Sequence, residues 1–254
     1  MLLHRKPGPP LSAFIDLLWH YRMPPAPHRF ERILPCGEMS IVFNLTGEGL
    51  PGGLVCGAFS EYFTLDTAQQ AFTLGIHFKA GGAAQFLALP AGELEARHVT
   101  LGDVWGADAA RLHEKLLAAR DAGARFDLVE GALRKRLDAR GPHPAVAYAL
   151  REIEGQARVS DLADRVGLST RRFADVFRDQ VGITPKRYAR VRRFQGALRR
   201  LNEGKRVEWA DFALACGYYD QPHFIHDFQA FSGLNPSSYV PRAVEYRNHV
   251  ALPD

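Results

Sequence analysis

Apolar and small residues recur at the same spacing in two stretches of the C-terminal part of the chain. The first copy contains Leu162, Ala163, Val166, Gly167, Leu168, Ser169, Phe173, Phe177, Gly182, Ile183, Thr184, Pro185 and Tyr188. The second copy contains Phe212, Ala213, Cys216, Gly217, Tyr218, Asp220, Phe224, Phe228, Gly233, Leu234, Asn235, Pro236 and Tyr239. Matching positions are 50 residues apart before the turn and 51 after it, because the second copy has one additional residue, Tyr219. The pattern predicts one helical unit that is built twice.

Each copy has the layout of a helix, a turn and a second helix. Ser169 and Asp220 are favoured N-cap residues, and the phenylalanines four residues apart behind them form the apolar stripe of the second helix. Gly182 and Gly233 are placed to end that helix in the left-handed conformation. A single copy is compatible with an ordinary helical hairpin. Two copies in register favour tandem helix-turn-helix motifs, near residues 159–180 and 209–231.

The N-terminal part has the pattern of short β-strands. Apolar or alternating runs cover 41–45, 54–59, 63–65 and 72–78, and glycines and prolines separate several of them. Such closely spaced short strands predict a small β-barrel or sandwich, of cupin-like type. Residues 11–22 fit either an amphipathic helix or a strand, and their periodicity does not decide between the two.

After Lys79 the periodicity becomes helical, over residues 83–89, 107–119 and 126–137. An irregular segment that contains residues 101–105 is expected between the first two helices. In the third helix, Phe126, Val129, Leu133 and Leu137 form a narrow apolar stripe. Packing of this stripe against the strands of the same chain is slightly favoured over a dimer seam, which is the alternative.

Two domains are predicted, with fold class α+β. The segment Gly141-Pro-His-Pro144 interrupts the helical pattern on both sides and is the best linker candidate. Residues 1–140 are then a sensing or dimerisation domain, β-rich at first and helical later. Residues 141–254 are an all-α DNA-binding domain that begins with a supporting helix over 145–154. The polar tail after Tyr239 is expected to be loosely held.

Composition indicates an ordinary globular protein. The hydrophobic content is 46% and the charged content 24%, which excludes a disordered or collagen-like chain. No apolar run approaches the roughly 20 residues of a membrane span, and the start of the chain lacks the apolar core of a signal peptide. The three cysteines are widely spaced without a Cys-x-x-Cys pair, which favours reduced thiols in a cytoplasmic protein.

The net charge of +4 is unevenly distributed. Between residues 165 and 206 there are 13 basic side chains and only three acidic ones. The basic residues are Arg165, Arg171, Arg172, Arg178, Lys186, Arg187, Arg190, Arg192, Arg193, Arg199, Arg200, Lys205 and Arg206. Because this cluster coincides with the first motif and the helix after it, neutralisation of DNA phosphates is favoured over a merely solvated basic face.

Over residues 145–240 the chain resembles the DNA-binding domain of AraC/XylS-family transcription regulators. The most specific segments are Gly217-Tyr-Tyr-Asp-Gln-Pro-His-Phe-Ile-His-Asp-Phe228 and Gly233-Leu-Asn-Pro236, which look like the family's second-motif signature. Upstream, Leu34-Pro-Cys-Gly37, Gly75-Ile-His-Phe78 and Gly102-Asp-Val-Trp-Gly106 are similar to an uncharacterised sensor-type domain of one branch. The resemblance implies a sequence-specific transcription regulator that binds double-stranded DNA. A small-molecule effector, a homodimer and contact with RNA polymerase are further expectations.

Enzyme and metal motifs are not recognisable in the sequence. The only candidate ligands of the β region are His28, Glu31, Cys36, Glu38 and His77, and none has the spacing of a known metal-binding motif. We interpret His77 as a strand residue with an ordinary hydrogen-bonding role. The sequence therefore predicts no enzyme, no metal and no cofactor.

The second helix of a helix-turn-helix enters the major groove with its first turns at the base edges. Thr170, Arg171 and Asp175 of the first motif are predicted to contact bases, and the planar fork of Arg171 suits guanine O6 and N7. Asp175 either accepts from cytosine or orients Arg171, with equal weight. In the second motif, the resemblance places Gln221 and His226 at positions that the family uses to contact bases or backbone. Pro222 limits base reading by this helix. The predicted phosphate contacts are Arg172, Arg178, Lys186, Arg187 and His223.

Three functions remain open at this point. The first is a regulator with an effector at its N-terminal domain, and the alternative is a regulator whose N-terminal domain binds a protein. An enzyme domain fused to a DNA binder is a third, less favoured class. A preformed apolar pocket with a few polar groups favours the effector, and a filled barrel with an exposed apolar patch favours the protein partner.

Overall fold

The computed structural model describes residues 1–22, 28–47, 52–138, 141–154, 158–204, 207–240 and 248–252. The strands of this part are β1 Leu2–Arg5, β2 Ile15–Arg22, β3 Phe30–Ile33, β4 Ser40–Asn44, β5 Leu54–Cys56, β6 Phe63–Asp66, β7 Phe72–Phe78, β8 His98–Thr100 and β9 His249–Ala251. The helices are α1 Leu101–Trp105, α2 Ala107–Ala118, α3 Ala122–Arg136, α4 Pro144–Glu154, α5 Val159–Arg165, α6 Thr170–Val181, α7 Pro185–Leu201, α8 Trp209–Ala215 and α9 Gln221–Ser232. No helix in these ranges is both long and apolar enough to cross a membrane.

The β-strands form two antiparallel sheets. One has six strands in the order β1-β2-β7-β4-β5-β8, and the other has three in the order β6-β3-β9. The α+β class and the β-rich first half are confirmed, although within the described residues the strands form open sheets and not a closed barrel. Trp19 of β2 lies opposite Gly75 of β7. A Cβ atom at Gly75 would lie 2.1 Å from the Trp19 ring, so only glycine lets this indole cover the central strand.

Residues 11–22 resolve into a 3₁₀ turn at Leu11–Ala13 followed by strand β2. The helix predicted over 83–89 is wrong, because only Ala83–Gln85 form a 3₁₀ turn. The carbonyls beyond it bind other segments: Asp138 N donates to Gln85 O at 2.9 Å, and Trp105 Nε1 donates to Phe86 O at 3.0 Å. Helical pairing of the Phe86 carbonyl would need an N–H at Pro90, which proline lacks.

Residues 101–105 form helix α1, and not the irregular segment that was expected. Thr100 caps this helix, since its Oγ1 accepts from Asp103 N at 3.2 Å and donates to Asp103 Oδ2 at 2.8 Å. The pairing resembles a capping box. In α3, the stripe of Phe126, Val129 and Leu133 is buried within the chain, which confirms the intramolecular packing.

Two hydrophobic clusters cross the predicted domain boundary. The larger one joins residues of the six-stranded sheet to the first motif, including Phe173, Phe177 and Tyr188. The smaller one surrounds the second motif and also contains Leu34, which follows β3. The N-terminal half therefore shares apolar cores with both motifs. A boundary near residue 141 stays a prediction about independent folding.

Residues 249–251 form an edge strand of the three-stranded sheet. Strand β9 pairs with β3, so the prediction of a loosely held tail is wrong for residues 248–252. Glu31 accepts from His28 Nε2 and His249 Nδ1, at 2.7 Å and 2.9 Å respectively. These hydrogen bonds lower the pKa of the Glu31 carboxyl to about 2, and the bond from His249 has the largest effect. The all-α description holds for the C-terminal helices, while residues 241–247 lie outside the described residues.

Candidate DNA-binding surface

The second helix of each motif is called its reading helix, and in the first motif this is α6. Local signals define both ends of α6. The Ser169 hydroxyl accepts from Arg172 N at 3.2 Å, and Gly182 ends the helix with φ 97°. Phe173 and Phe177 are buried, so the apolar face points inward and the start of the helix is exposed. The sequence-predicted cap, stripe and terminal glycine are confirmed.

Helix α9 of the second motif is built in the same way. The Asp220 carboxylate accepts from His223 N at 2.8 Å, and Gly233 ends the helix in the left-handed conformation. Phe224 and Phe228 are buried, and their rings lie 5.6 Å apart. The second motif is therefore a structural repeat of the first, as the spacing predicted.

Helix α7 connects the two motifs. Its 17 residues correspond to roughly 25 Å at 1.5 Å per residue, and with one motif at each end this length can hold the two motifs about one DNA turn, roughly 34 Å, apart. Its inner face carries Tyr188, Val191, Phe194 and Leu198, which are fully or almost fully buried. The helix is thus anchored along its length and can hold the two motifs at a constant separation.

An ion pair that the sequence interpretation missed joins α7 to α9. Arg190 Nη2 lies 2.6 Å from Asp227 Oδ1, and Asp227 is only 1% exposed. The hydrogen bond to this carboxylate raises the pKa of Arg190. A signal was available, because Asp227 lies three residues after Phe224 and one before Phe228, on the apolar stripe. A charged residue at such a position is expected to have a buried partner.

The residues predicted to contact bases lie at the starts of the two reading helices. Thr170, Arg171, Asp175 and His226 are exposed, while Gln221 is half-buried. Within the described residues, Arg171 and Asp175 form no ion pair with each other. The two roles considered for Asp175, acceptance from cytosine and orientation of Arg171, both stay predictions. The base contacts themselves stay predictions.

The residues predicted to contact phosphate fall into two groups. Arg172 and Lys186 are exposed, and His223 is half-buried with its ring 5.3 Å from that of Tyr218. Arg178 and Arg187, in contrast, both pair with Glu95 of the N-terminal half. The Arg178–Glu95 distance is 3.0 Å, and Arg178 Nη2 also donates to Gly92 O at 2.9 Å.

Other members of the basic cluster are also paired within the protein. Arg192 Nη1 lies 3.3 Å from Glu38 Oε1, and Arg165 Nη1 lies 3.5 Å from Glu152 Oε2. The guanidinium of Arg193 lies 5.2 Å from the centre of the Tyr218 ring. Lys205 and Arg206 lie outside the described residues. The local excess of positive charge is therefore smaller than a count of residues suggests.

The C-terminal half of α6 packs closely on the N-terminal half of the chain. A Cβ atom at Gly92 would lie 2.9 Å from Arg178 Cγ, and one at Gly182 would lie 2.9 Å from Ala58 Cβ. A cleft of about 640 Å³ opens beside this contact. It is lined by Phe59, Ser60, Glu61, Tyr62, Gly92, Glu93, Glu95, Ala96, Arg97, Arg178 and Arg187. The lining is mostly polar, unlike the apolar pocket that the effector hypothesis anticipated.

Three candidate ligands from the β region meet near Arg192 of α7. One ligand atom each of Cys36, Glu38 and His77 lies within 4.8 Å of the other two. His77 Nε2 is 2.7 Å from Glu38 Oε2, so the predicted hydrogen-bonding role of His77 is confirmed. Burial raises the pKa of the Cys36 thiol to about 12. Sequence spacing did not indicate this cluster, because His77 is 39 residues from Glu38.

Two family models match parts of this chain. Residues 162–242 match a family described as a helix-turn-helix domain. Residues 3–100 match a family described as a domain of unknown function, DUF6597. No curated protein sequence matches the chain.

Solved structures of ToxT from Vibrio cholerae are similar to this chain at a low level. One is 10% identical, covering 94% of this chain and 96% of that chain, with a TM-score of 0.40. Another, determined with an unsaturated fatty acid bound to wild-type ToxT of strain SCE256, is 9% identical with a TM-score of 0.37, covering 95% and 96% of the two chains. At these values the ligands of ToxT give no information about this chain.

Proposed function

We propose that a small molecule controls this chain. The chain is a DNA-binding transcription regulator of the AraC family by its C-terminal helix-turn-helix domain. The observation that carries the proposal is the pairing of Arg178 and Arg187 with Glu95. Both arginines are predicted phosphate contacts, and a guanidinium held by a carboxylate is less available to neutralise a phosphate. The arrangement in which Glu95 holds Arg178 and Arg187 thus opposes DNA binding.

The start of α6 stays exposed while its second half is docked. Thr170 and Arg171 are accessible, whereas Arg178 is held by Glu95 and by the Gly92 carbonyl. Release of the two arginines would add about two phosphate contacts. The negative slope of log K against log salt would then become steeper by about 1.8. Release of Arg178 and Arg187 from Glu95, with the shared apolar core intact, would therefore strengthen binding without changing which bases are read.

The cleft beside Glu95 is the proposed effector site. Its volume of about 640 Å³ lies within the roughly 300–1,000 Å³ of small-molecule sites. Arg97 also lines it, so a ligand whose carboxylate or phosphate group pairs with Arg97 can occupy the cleft and displace the Glu95 side chain from Arg178 and Arg187. We propose a small organic anion as the effector class.

The test compares Glu95→Gln with Glu93→Gln in DNA binding. Glu93 lines the same cleft and is exposed, and it forms no ion pair with the residues that the structure describes, so it is a matched control. A site selected from randomised duplexes by the intact protein serves as the ligand in an anisotropy titration. Glu95→Gln should raise affinity roughly 3- to 10-fold, equivalent to about 0.7–1.4 kcal/mol for two partly exposed ion pairs. Unchanged affinity, or an equal change in Glu93→Gln, contradicts the inhibitory role of Glu95.

A panel of organic acids separates the effector from the protein-partner alternative. An effector of the proposed class should raise the affinity of the wild type for DNA and should have little effect on Glu95→Gln. If no acid changes binding while Glu95→Gln does, control by a protein partner is favoured. We also propose that the protein is cytoplasmic, self-associates and contacts RNA polymerase.

A further inference from the structure

We propose that Cys36, Glu38 and His77 form a binding site for Zn²⁺ at the contact between the six-stranded sheet and helix α7. A thiolate, an imidazole and a carboxylate are the three types of protein ligand that zinc uses. The sulfur ligand selects a transition metal over Mg²⁺ or Ca²⁺, which prefer oxygen ligands. Three protein ligands leave a fourth position for water or a small ligand, so the ion would exchange more readily than in a closed structural site.

The distances require only a small adjustment. Ligand atoms bound about 2.0–2.3 Å from a tetrahedral zinc are separated by roughly 3.5 Å. In the structure the three ligand atoms lie within 4.8 Å of one another, and Glu38 Oε2 is already 2.7 Å from His77 Nε2. Movement of the Cys36 side chain by about 1 Å toward this pair, together with separation of Glu38 Oε2 from His77 Nε2 by slightly less than about 1 Å, would therefore complete the site.

The backbone holds the ligands in place. His77 lies in the central strand β7, directly opposite Ser40 of β4, and Phe78 N donates to Met39 O at 3.1 Å. Cys36 and Glu38 belong to the segment that leads into β4. Gly37 between them has φ 75°, which glycine adopts without strain, and its missing side chain leaves room for the Tyr188 ring.

Arg192 of α7 can act as an outer-shell partner of the ion. Its Nη1 lies 3.3 Å from Glu38 Oε1, while Glu38 Oε2 faces His77. One carboxylate can thus bind the metal with one oxygen and keep the guanidinium on the other, an arrangement typical of metal sites. Nearby, Gln195 Nε2 donates to Pro35 O at 2.7 Å. The ion would therefore strengthen the contact between the sheet and the helix that joins the two motifs.

Binding requires an ionised thiol. The Cys36 proton leaves to solvent as the sulfur–metal bond forms, and Glu38 exchanges its hydrogen bond with His77 for the metal. No oxidant, reductant or further reactant takes part. The side chains of Glu38 and His77 are 20% and 29% exposed, so solvent ions have access.

The experiment uses the intact, metal-stripped protein and Co²⁺ as a spectroscopic probe, followed by competition with Zn²⁺. The wild type should bind one equivalent of Co²⁺ with a thiolate-to-metal charge-transfer band, which Zn²⁺ abolishes. Cys36→Ser should lose the band. His77→Gln and Glu38→Gln should weaken Zn²⁺ binding at least about 100-fold, because loss even of an outer-shell partner weakens binding about 10- to 100-fold.

Cys56→Ser is the matched control, because Cys56 is another half-buried thiol and lies opposite Ser40 on the same sheet. It should keep the band and the Zn²⁺ affinity. Thermal unfolding without metal shows whether each variant folds, and if Cys36→Ser does not, His77→Gln decides the question. The proposal is overturned if the wild type gives no band, or if the band survives in Cys36→Ser.

Discussion

At the scale of single residues, His20 is a titratable side chain buried among aromatic rings. It is 3% exposed and contacts the rings of Phe72 and Phe126, and neither of its ring nitrogens has a hydrogen-bond partner among the described residues. Burial first, and then the charge of Arg125, lower the pKa of His20 below 6.5. The fold therefore favours the neutral imidazole over the charged form.

The buried His20 predicts a pH-dependent stability. Below the unfolded pKa of 6.5 the unfolded chain binds a proton that the folded chain resists, so the contribution of His20 to stability falls as pH falls. We expect the wild type to lose stability as pH falls below about 6.5, the ordinary pKa of histidine, and His20→Leu to reduce that loss. Urea unfolding at several pH values measures it. Identical pH profiles for the two proteins would assign the dependence to other groups.

The tandem arrangement predicts two separate base clusters. Arg171→Ala removes a bidentate donor, so it should cost about 1–3 kcal/mol and relax preference at one cluster. Gln221→Ala should act more weakly, roughly 10 base pairs away, because Pro222 limits that helix. Lys186→Ala should weaken all sequences about equally, as loss of a phosphate contact does. Randomised-site selection with the three variants decides it, and relaxation of the same base pairs by Arg171→Ala and Gln221→Ala would contradict tandem reading.

At the scale of elements, the ion pair between α7 and α9 holds the second motif against the connecting helix. Without Arg190, the carboxylate of Asp227 would be buried without its closest partner. Arg190→Ala should therefore lower the free energy of unfolding by about 3 kcal/mol, the low end for a broken buried pair, because Arg190 itself is partly exposed.

The matched control is Lys186→Ala, an exposed substitution on the same helix, which should change stability by less than about 0.5 kcal/mol. Denaturant unfolding of both variants gives the comparison. Asp227→Asn added to Arg190→Ala should recover part of the loss, because an amide needs no counter-charge. A double variant as unstable as Arg190→Ala alone would show that packing, and not charge, determines the effect.

At the scale of the whole molecule, the shared core makes the two halves depend on each other. Helix α6 contacts the N-terminal half at Ala58 and Gly92, and Leu34 belongs to the cluster of the second motif. We expect fragment 142–254 to bind duplex DNA with a steep salt dependence, losing about 0.9 in log K per phosphate contact per decade of salt. Its α6 amides should exchange hydrogen faster than those of the intact chain, because that cover is removed.

Hydrogen exchange of the fragment and the intact protein, followed by mass spectrometry, tests the second expectation. Helix α9 is a partial internal control, because the structure gives it fewer contacts with the N-terminal half than α6. Equal protection of α6 in the two proteins would mean that the shared core contributes little to the first motif. Salt-independent DNA binding by the fragment would contradict the electrostatic role of the basic residues.

The sequence by itself determined the tandem motifs, their caps and the two apolar stripes, because these depend on neighbours within a few residues. Ser169 bonds to an amide three positions away, and Gly182 needs only its own backbone freedom. The short strands were also readable from local alternation. Helix α1 was missed although its cap is local, and the helix over 83–89 was wrong because distant donors bind the carbonyls of Gln85 and Phe86.

Only the tertiary structure decided which charged and ligand residues meet. Glu95 pairs with Arg178 across 83 residues, His77 meets Glu38 across 39, and His249 meets Glu31 across 218. Nothing in the residues around either partner specifies such a meeting, because it depends on how sheets and helices pack over the whole chain. Local physics therefore identified the DNA-binding part, while packing created the cleft, the metal-ligand cluster and the docking of β9.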